Sequence, residues 1–219
     1  MKLPKPSPGN ISKLAGAMSG IPCFVIGNSP CLLDIDIQSL EPFFTIGINR
    51  AYRAIKTTML IWQDPEIMRD CRSDLEKFDG LCVCPPKADP GKRFMHFNLS
   101  GAAFHKASDP KMLYGRGSTG PLAVQMASIM GCSPILLVGM DCRRRENMTD
   151  FYGVNRDWKM HTPKLCESGL RWIESTFTKK EVENLSSNPA GVAEATRRLS
   201  SFAQGRDRYL SMLRRRVLR

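Results

Sequence analysis

Short apolar runs alternate with longer stretches in which apolar residues recur at helical spacing. CFVIGN (23–28), FFTIGIN (43–49), TTMLIWQD (57–64) and GLCVCP (80–85) read as strands. PILLVGMD (134–141) is apolar almost without a break, the pattern of a strand buried on both faces of a parallel sheet. Between them, LLDIDIQSLE (32–41) predicts a short helix. PEIMRDCRSDLEKF (65–78) predicts a longer one, with proline first and an acid next to it, as helix starts prefer. GSTGPLAVQMASIMG (117–131) opens on Ser and Thr and stops at Gly131. PKLCESGLRWIESTF (163–177) reads as a later helix, KEVENLS (180–186) as a late strand, and GRDRYLSMLRRRVLR (205–219) as a basic helix. Residues 86–116 read as irregular, with RFMHFNL (93–99) a candidate short strand, and residues 1–20, rich in Pro, Ser, Gly and Lys, as a loose arm. No internal repeat is visible. The alternation predicts an α/β fold with a mostly parallel sheet flanked by helices.

In such sheets ligands bind beyond the carboxyl ends of the strands. The residues just past each strand are therefore the place to look. Gly27-Asn28-Ser29-Pro30 comes after the first, Asn49-Arg50 after the second and Asp64 after the third. Gly117-Ser118-Thr119-Gly120 precedes the long apolar helix, and Asp141, then Arg143, Arg144 and Arg145, ends the strongest strand. Small turns bring backbone N–H groups close to an anion, and a helix start adds its positive end. Asn and Asp suit a base and a ribose. Each feature has a plain structural reading: a turn, an N-cap, a local ion pair, a solvated basic patch. There is neither GxxxxGK[ST] nor GxGxxG after the first strand, which excludes the usual phosphate loops.

Charge changes this picture. The 219 residues hold 32 Lys+Arg against 21 Asp+Glu, a formal net charge of +11. That surplus favours a polyanionic partner such as nucleic acid, or an anionic membrane surface. Eight cysteines without a CxxC pair argue against a zinc site and fit reduced thiols in a cytoplasm. No secretion signal precedes the first strand, and no apolar stretch reaches the roughly 18 residues of a membrane span.

VIGNSPCLLDID resembles the GNGPSL…ID opening of a group of Rossmann-like transferases: bacterial lipooligosaccharide sialyltransferases, motility-associated flagellin glycosyltransferases and the archaeal 6-hydroxymethylpterin diphosphokinase. TIGINRAY, IWQDPE, GSTGPLAVQMASIMGCSPILLVGMD and TDFYG are similar to further pieces of that pattern, in the same order, over roughly residues 21–190. The resemblance implies a Rossmann-like nucleotide-binding domain over 21–190, which leaves the flexible arm read from composition over 1–20 and a basic helical extension over 191–219. It implies nucleotide contacts from Gly27, Asn28, Ser29, Asn49, Ser118, Thr119 and Gly120, to which the strand-end reading adds Asp64 and Asp141. His161, just before a late helix, matches the general base of the sialyltransferase branch, with Tyr152 and Arg143 as candidates to stabilise the leaving phosphate. Two positions depart from the motif: Ser29 stands for its second glycine and Cys31 for its serine.

The expectation is a metal-independent transferase, with no cofactor, that uses a nucleotide-activated sugar donor. Charge and size suit a nucleic-acid acceptor and a virus- or mobile-element-encoded enzyme in the host cytoplasm. An ATP-dependent diphosphokinase acting on a pterin or modified nucleoside, with Mg²⁺ on Asp64 and Asp141, is a second reading. A non-catalytic nucleic-acid-binding module on a decayed transferase fold is a third.

Overall fold

The computed structural model describes residues 9–101, 103–115, 117–155, 158 and 161–218; residues 1–8 of the expected arm and Arg219 of the basic tail lie outside them. The strands are β1 (Cys23–Ile26), β2 (Phe44–Ile48), β3 (Met59–Ile61), β4 (Leu81–Cys84), β5 (Met95–His96), β6 (Asn98–Ser100), β7 (Met112–Tyr114), β8 (Ile135–Val138) and β9 (Val182–Asn184). The helices are α1 (Pro65–Lys77), α2 (Thr119–Ile129), α3 (Thr162–Thr176), α4 (Pro189–Arg198) and α5 (Arg206–Val217). Seven strands form one sheet in the order β5-β4-β3-β2-β1-β8-β9, with every pairing parallel, while β6 and β7 form a small parallel pair of their own. The chain walks outward from β1 to β5, then returns to lay β8 on the other side of β1. That reversal is a topological switch point, and the fold is α/β and Rossmann-like.

Both faces of the sheet are covered, which is why its strands are apolar without alternation. One face sets Cys23, Val25, Phe44, Ile46, Met59 and Ile61 against α2, Ile173 of α3 and Tyr209 and Leu213 of α5. The other sets Phe24, Ile26, Leu136 and Val138 against Leu32, Ile35, Leu40 and Val192 and Ala195 of α4. Further along, Leu60, Trp62, Cys82 and Cys84 lie under Ile67, Met68, Cys71 and Leu75 of α1. Helix α2 is buried from Thr119 to Ala127, so its apolar residues run all round it. It lies between the sheet and α3. A Cβ at Gly169 would stand 2.6 Å from Cγ of Pro121, so glycine is what lets α3 lie on the start of α2.

Four expectations change. The helix expected over 32–41 is two short 3-10 turns, Pro30–Asp34 and Ile37–Leu40, split where Ile35 takes extended geometry and buries its side chain in the core. The arm is not loose over its described part: Ile11, Leu14 and Met18 are fully buried. The expected boundary near 190 falls at the start of α4, where the Asn188 side chain accepts from the Gly191 N–H at 2.9 Å and Pro189 begins the helix. The C-terminal helix is part of the core rather than an extension. Arg206 of α5 donates to the Thr57 carbonyl at 2.9 Å and pairs with Asp79, and the Lys13 Nζ donates to the Val217 carbonyl at 2.9 Å. Among the described residues no helix is long and apolar enough to cross a membrane.

Candidate functional site

A cleft of about 360 Å³ opens at the carboxyl ends of β1, β2, β3 and β8. Gly27, Asn28 and Ser29 line it after β1, Asn49 and Arg50 after β2, Gln63 and Asp64 after β3, and Gly139 and Met140 after β8. The first turns of α1, α2 and α3 reach it through Glu66, through Ser118, Thr119 and Gly120, and through His161 and Thr162. First-turn amides have no acceptor inside their own helix, so three positive helix ends converge on one cavity.

The turn after β1 is built differently from expectation. Its amides were expected to stand open toward a ligand. Instead the Gly27 N–H donates to Val138 O at 2.8 Å and the Ser29 N–H to Gly139 O at 3.0 Å. Gly27 serves the seam between strands: a Cβ there would collide with the Gly139 carbonyl and stand 2.7 Å from Cγ of Met140. The five-residue 3-10 turn beginning at Pro30 is too short to carry a helix dipole. The contribution of this segment to the cleft is the Asn28 side chain. Its Nδ2 donates to Ile48 O at 3.0 Å, while its Oδ1 is buried without a partner. Asn49 repeats the arrangement on the next strand. It sits at φ 52°, in the left-handed region that asparagine tolerates, and its Oδ1 is likewise buried and unpartnered. Trp158 also lines the cleft with a buried, unpartnered Nε1. An unsatisfied buried polar atom costs about 1–3 kcal/mol. Two acceptors and a donor of this kind belong to residues that line the cleft.

Ser118 and Thr119 are not mere caps. Neither Ser118 nor any other N-cap side chain closes the first turn of α2; the Ser118 hydroxyl meets Cys166, and the Thr119 hydroxyl accepts from Gln63 Nε2 at 3.4 Å. His161 stands exposed at the N-cap of α3 on the cleft rim. The structure thus brings Gly27, Asn28, Ser29, Asn49, Asp64, Ser118, Thr119, Gly120 and His161 together.

Tyr152, Arg143 and Asp141 do not join them. Asp141 and Arg143 line a second depression with Cys31, Asp34, Arg144, Arg145 and Ser187. There Asp141 accepts from the Ser187 hydroxyl at 3.0 Å and from the Arg143 N–H at 3.3 Å, and Arg145 pairs with Asp34 at 2.8 Å. Cys31 is no activated thiol: burial and the Asp141 charge push it up to about 12. Tyr152 stands behind the cleft wall, where the Arg50 guanidinium lies 6.0 Å from its ring centre. Burial first, and the neighbouring Asp150 charge next, hold its hydroxyl well above the usual tyrosine range.

Sequence reasoning missed Asp150 and the Cys142–Cys166 pair, and placed Arg50 after the second strand without giving it a role. Asp150 lines the cleft at 5% exposure, and burial raises its carboxyl to about 6 against hydrogen bonds that lower it. Arg50 is the one cation in the cleft lining among the described residues, held by Asp70 at 3.1 Å. Cys166 is held below the usual thiol range by a hydrogen bond with Cys142, with burial opposing, and Cys142 is correspondingly raised. Asp150 lies in TDFYG, and Arg50, directly after Asn49, stands where position after a strand points. No local signal marks the burial of Asp150.

No family model matches the chain, and no curated protein matches it. Among solved structures the chain is similar to a crystal structure of the sialyltransferase CST-II in complex with a trisaccharide acceptor and CMP, at 14% sequence identity over 76% of this chain and 82% of that one, with a TM-score of 0.45. That distance transfers no property of CST-II to this chain.

Proposed function

We propose that the protein is a transferase that binds a nucleotide-activated sugar in the cleft at the switch point and passes the sugar to an acceptor hydroxyl. The observation that carries this reading is the pair of unpartnered asparagine oxygens, Asn28 Oδ1 and Asn49 Oδ1, in the wall of a cleft that also receives three helix starts. Carbonyl oxygens take ribose hydroxyls or base amines, and helix starts take the diphosphate or phosphate. In the proposed reaction His161 takes the acceptor's proton, the acceptor oxygen bonds to the sugar's anomeric carbon, and the bond to the nucleotide phosphate breaks with its electron pair leaving on phosphate. The starts of α2 and α3, and Arg50, line the same cleft and would take up that charge. Tyr152 acts only behind Arg50, as a positioning residue.

The diphosphokinase reading loses support, because Asp64 and Asp141 line different depressions and Asp141 has both oxygens engaged. A nucleic-acid acceptor is proposed on the +11 charge and on Arg144, which lies 5.7 Å from the ring centre of the cleft residue Trp158. The basic C-terminal helix contributes less than expected, since Arg214 donates to Asp79 O at 2.7 Å and Arg216 to Ala15 O at 3.4 Å. The deciding experiment is a calorimetric and thermal-shift series with CMP, UDP, GDP, ADP and their sugar conjugates, then donor turnover with DNA or glycan acceptors. Binding of a nucleotide sugar with turnover supports the reading. No nucleotide binding overturns it, and DNA binding without donor turnover supports the non-catalytic module instead.

A further inference from the structure

Away from the cleft, at the β5 edge of the sheet, three side chains of metal-ligating type meet. Cys84 ends β4 and His96 ends β5, and the two are direct partners in the parallel register. Their side chains therefore leave the same face of the sheet. Asp89 returns to them after the 3-10 turn Pro86–Ala88. One ligand atom from each residue lies within 4.8 Å of the others. Cys84 and Asp89 are fully buried, and the His96 side chain is 17% exposed, which leaves an access path from solvent.

The Asp89 carboxylate is the informative group. Its Oδ2 accepts from the Phe94 N–H at 2.9 Å and lies 3.1 Å from His96 Nε2. Its Oδ1 is buried without any partner, in a residue with no solvent exposure. A carboxylate oxygen shut off from solvent needs a positive or donating group. The His96 contact supplies one to Oδ2 only.

We propose that Cys84, Asp89 and His96 form a binding site for a divalent transition metal, Zn²⁺ by ligand type. Thiolate, carboxylate and imidazole are a zinc donor set, and three protein ligands leave a fourth position for water at the His96 side. Bonds of about 2.0–2.3 Å place tetrahedral ligand atoms roughly 3.5 Å apart, a small side-chain rotation from the present spacing. On binding, Cys84 gives its thiol proton to solvent and the sulfur–metal bond forms. The two anionic ligands then neutralise the ion, so no net charge is buried. The absence of a CxxC pair is no obstacle, because register and a turn gather residues that the sequence spaces as C-x4-D-x6-H. The site ties the two-residue edge strand β5 to β4. It also ties in the amino-terminal segment, since the His96 N–H donates to Gly9 O at 2.8 Å.

The test is a Co²⁺ titration of the full chain after dialysis against a chelator. The expected result is a thiolate-to-cobalt charge-transfer band with tetrahedral visible bands, saturating near one equivalent and bleached by Zn²⁺. Cys84→Ser removes the charge-transfer band, and His96→Gln, at the sheet edge, weakens Co²⁺ binding more than about tenfold. Zn²⁺ raises the Tm of the wild type and not of His96→Gln. The proposal is overturned if the wild-type spectrum lacks a thiolate band. It is overturned equally if the band survives Cys84→Ser and disappears with Cys142→Ser or Cys166→Ser, which would place the metal in the cleft. In either case the cluster is a buried carboxylate–imidazole pair. Should Cys84→Ser fail to fold, the wild-type spectrum and His96→Gln decide.

Discussion

The Ser29 N–H donates to the carbonyl of Gly139 at 3.0 Å, sewing the turn after β1 to the turn after β8. This bond fixes the floor of the cleft. It also reassigns the turn: its main chain holds the sheet's two halves together, and recognition passes to side chains, Asn28 and Asn49 above all.

Asn49→Gly is the cleanest probe of that recognition, because glycine keeps the φ of 52° while removing the orphan oxygen. The expected result is an unchanged fold by circular dichroism and nucleotide affinity weakened about tenfold, equivalent to roughly 1.4 kcal/mol for a lost hydrogen bond. Unchanged affinity by calorimetry would remove Asn49 from the site.

His161→Ala separates chemistry from binding. His161 lies on the rim rather than in the wall, so donor affinity should hold while kcat falls roughly 10²–10⁴-fold, the usual contribution of a general base. Steady-state kinetics alongside calorimetry reads both quantities. Normal turnover would remove His161 from the mechanism.

Asp150 makes stability depend on pH. Its carboxyl rises from 3.8 to about 6 in the folded state, chiefly through burial. The folded chain then holds more protons than the unfolded one between those values. Stability relative to the neutral form is fully present below the unfolded value and is lost as pH rises through about 6. The loss is on the order of 2–3 kcal/mol. Asp150→Asn should flatten the Tm-versus-pH curve over that interval; an unchanged slope would assign it to other groups.

Cys166 should be the fastest of the eight thiols to alkylate near neutral pH, since Cys142 holds it below the usual range. Cys142→Ala should slow that labelling, and a nucleotide in the cleft should protect against it. Peptide mass mapping after timed iodoacetamide treatment gives the order of reaction.

Arg206→Ala should detach α5 at its start. The Arg206 side chain bonds the Thr57 carbonyl and Asp79, and it is only 11% exposed. Its loss leaves a carbonyl unpaired, for an expected cost of about 1–3 kcal/mol in chemical denaturation. An effect below about 0.5 kcal/mol would mean that the buried face of Tyr209, Leu210, Leu213 and Val217, with the remaining hydrogen bonds, holds the helix without Arg206.

The sheet was legible because its strands are covered on both faces: ILLV and CFVI carry no alternation to confuse. The start of α2 was legible too, as Ser-Thr-Gly before an apolar run. Helix α4 could have been found from Asn188-Pro189 and the spacing of Val192, Ala195 and Leu199, whereas RFMHFNL (93–99) showed a strand at Met95–His96 but not that it breaks before Asn98, where a separate strand begins. The site was half legible. Position after a strand located the asparagines, but it also drew in Asp141 and Arg143. Left-handed residues Gly139 (φ 68°) and Cys142 (φ 60°) send the chain out of the cleft and back, so Cys142 faces it while its neighbours line the second depression. Asp150 and the Cys84–Asp89–His96 cluster owe their character to burial and register, which no linear spacing records.

The chain's three tryptophans occupy three different settings. Trp62 is sealed in the core, Trp172 packs 5.6 Å from the Phe104 ring centre and 5.8 Å from that of Phe177, and Trp158 alone lines the cleft. Intrinsic fluorescence is therefore a built-in gauge. Trp62→Phe with Trp172→Phe would leave one emitter whose colour and quenching report occupancy directly, without a label and in real time.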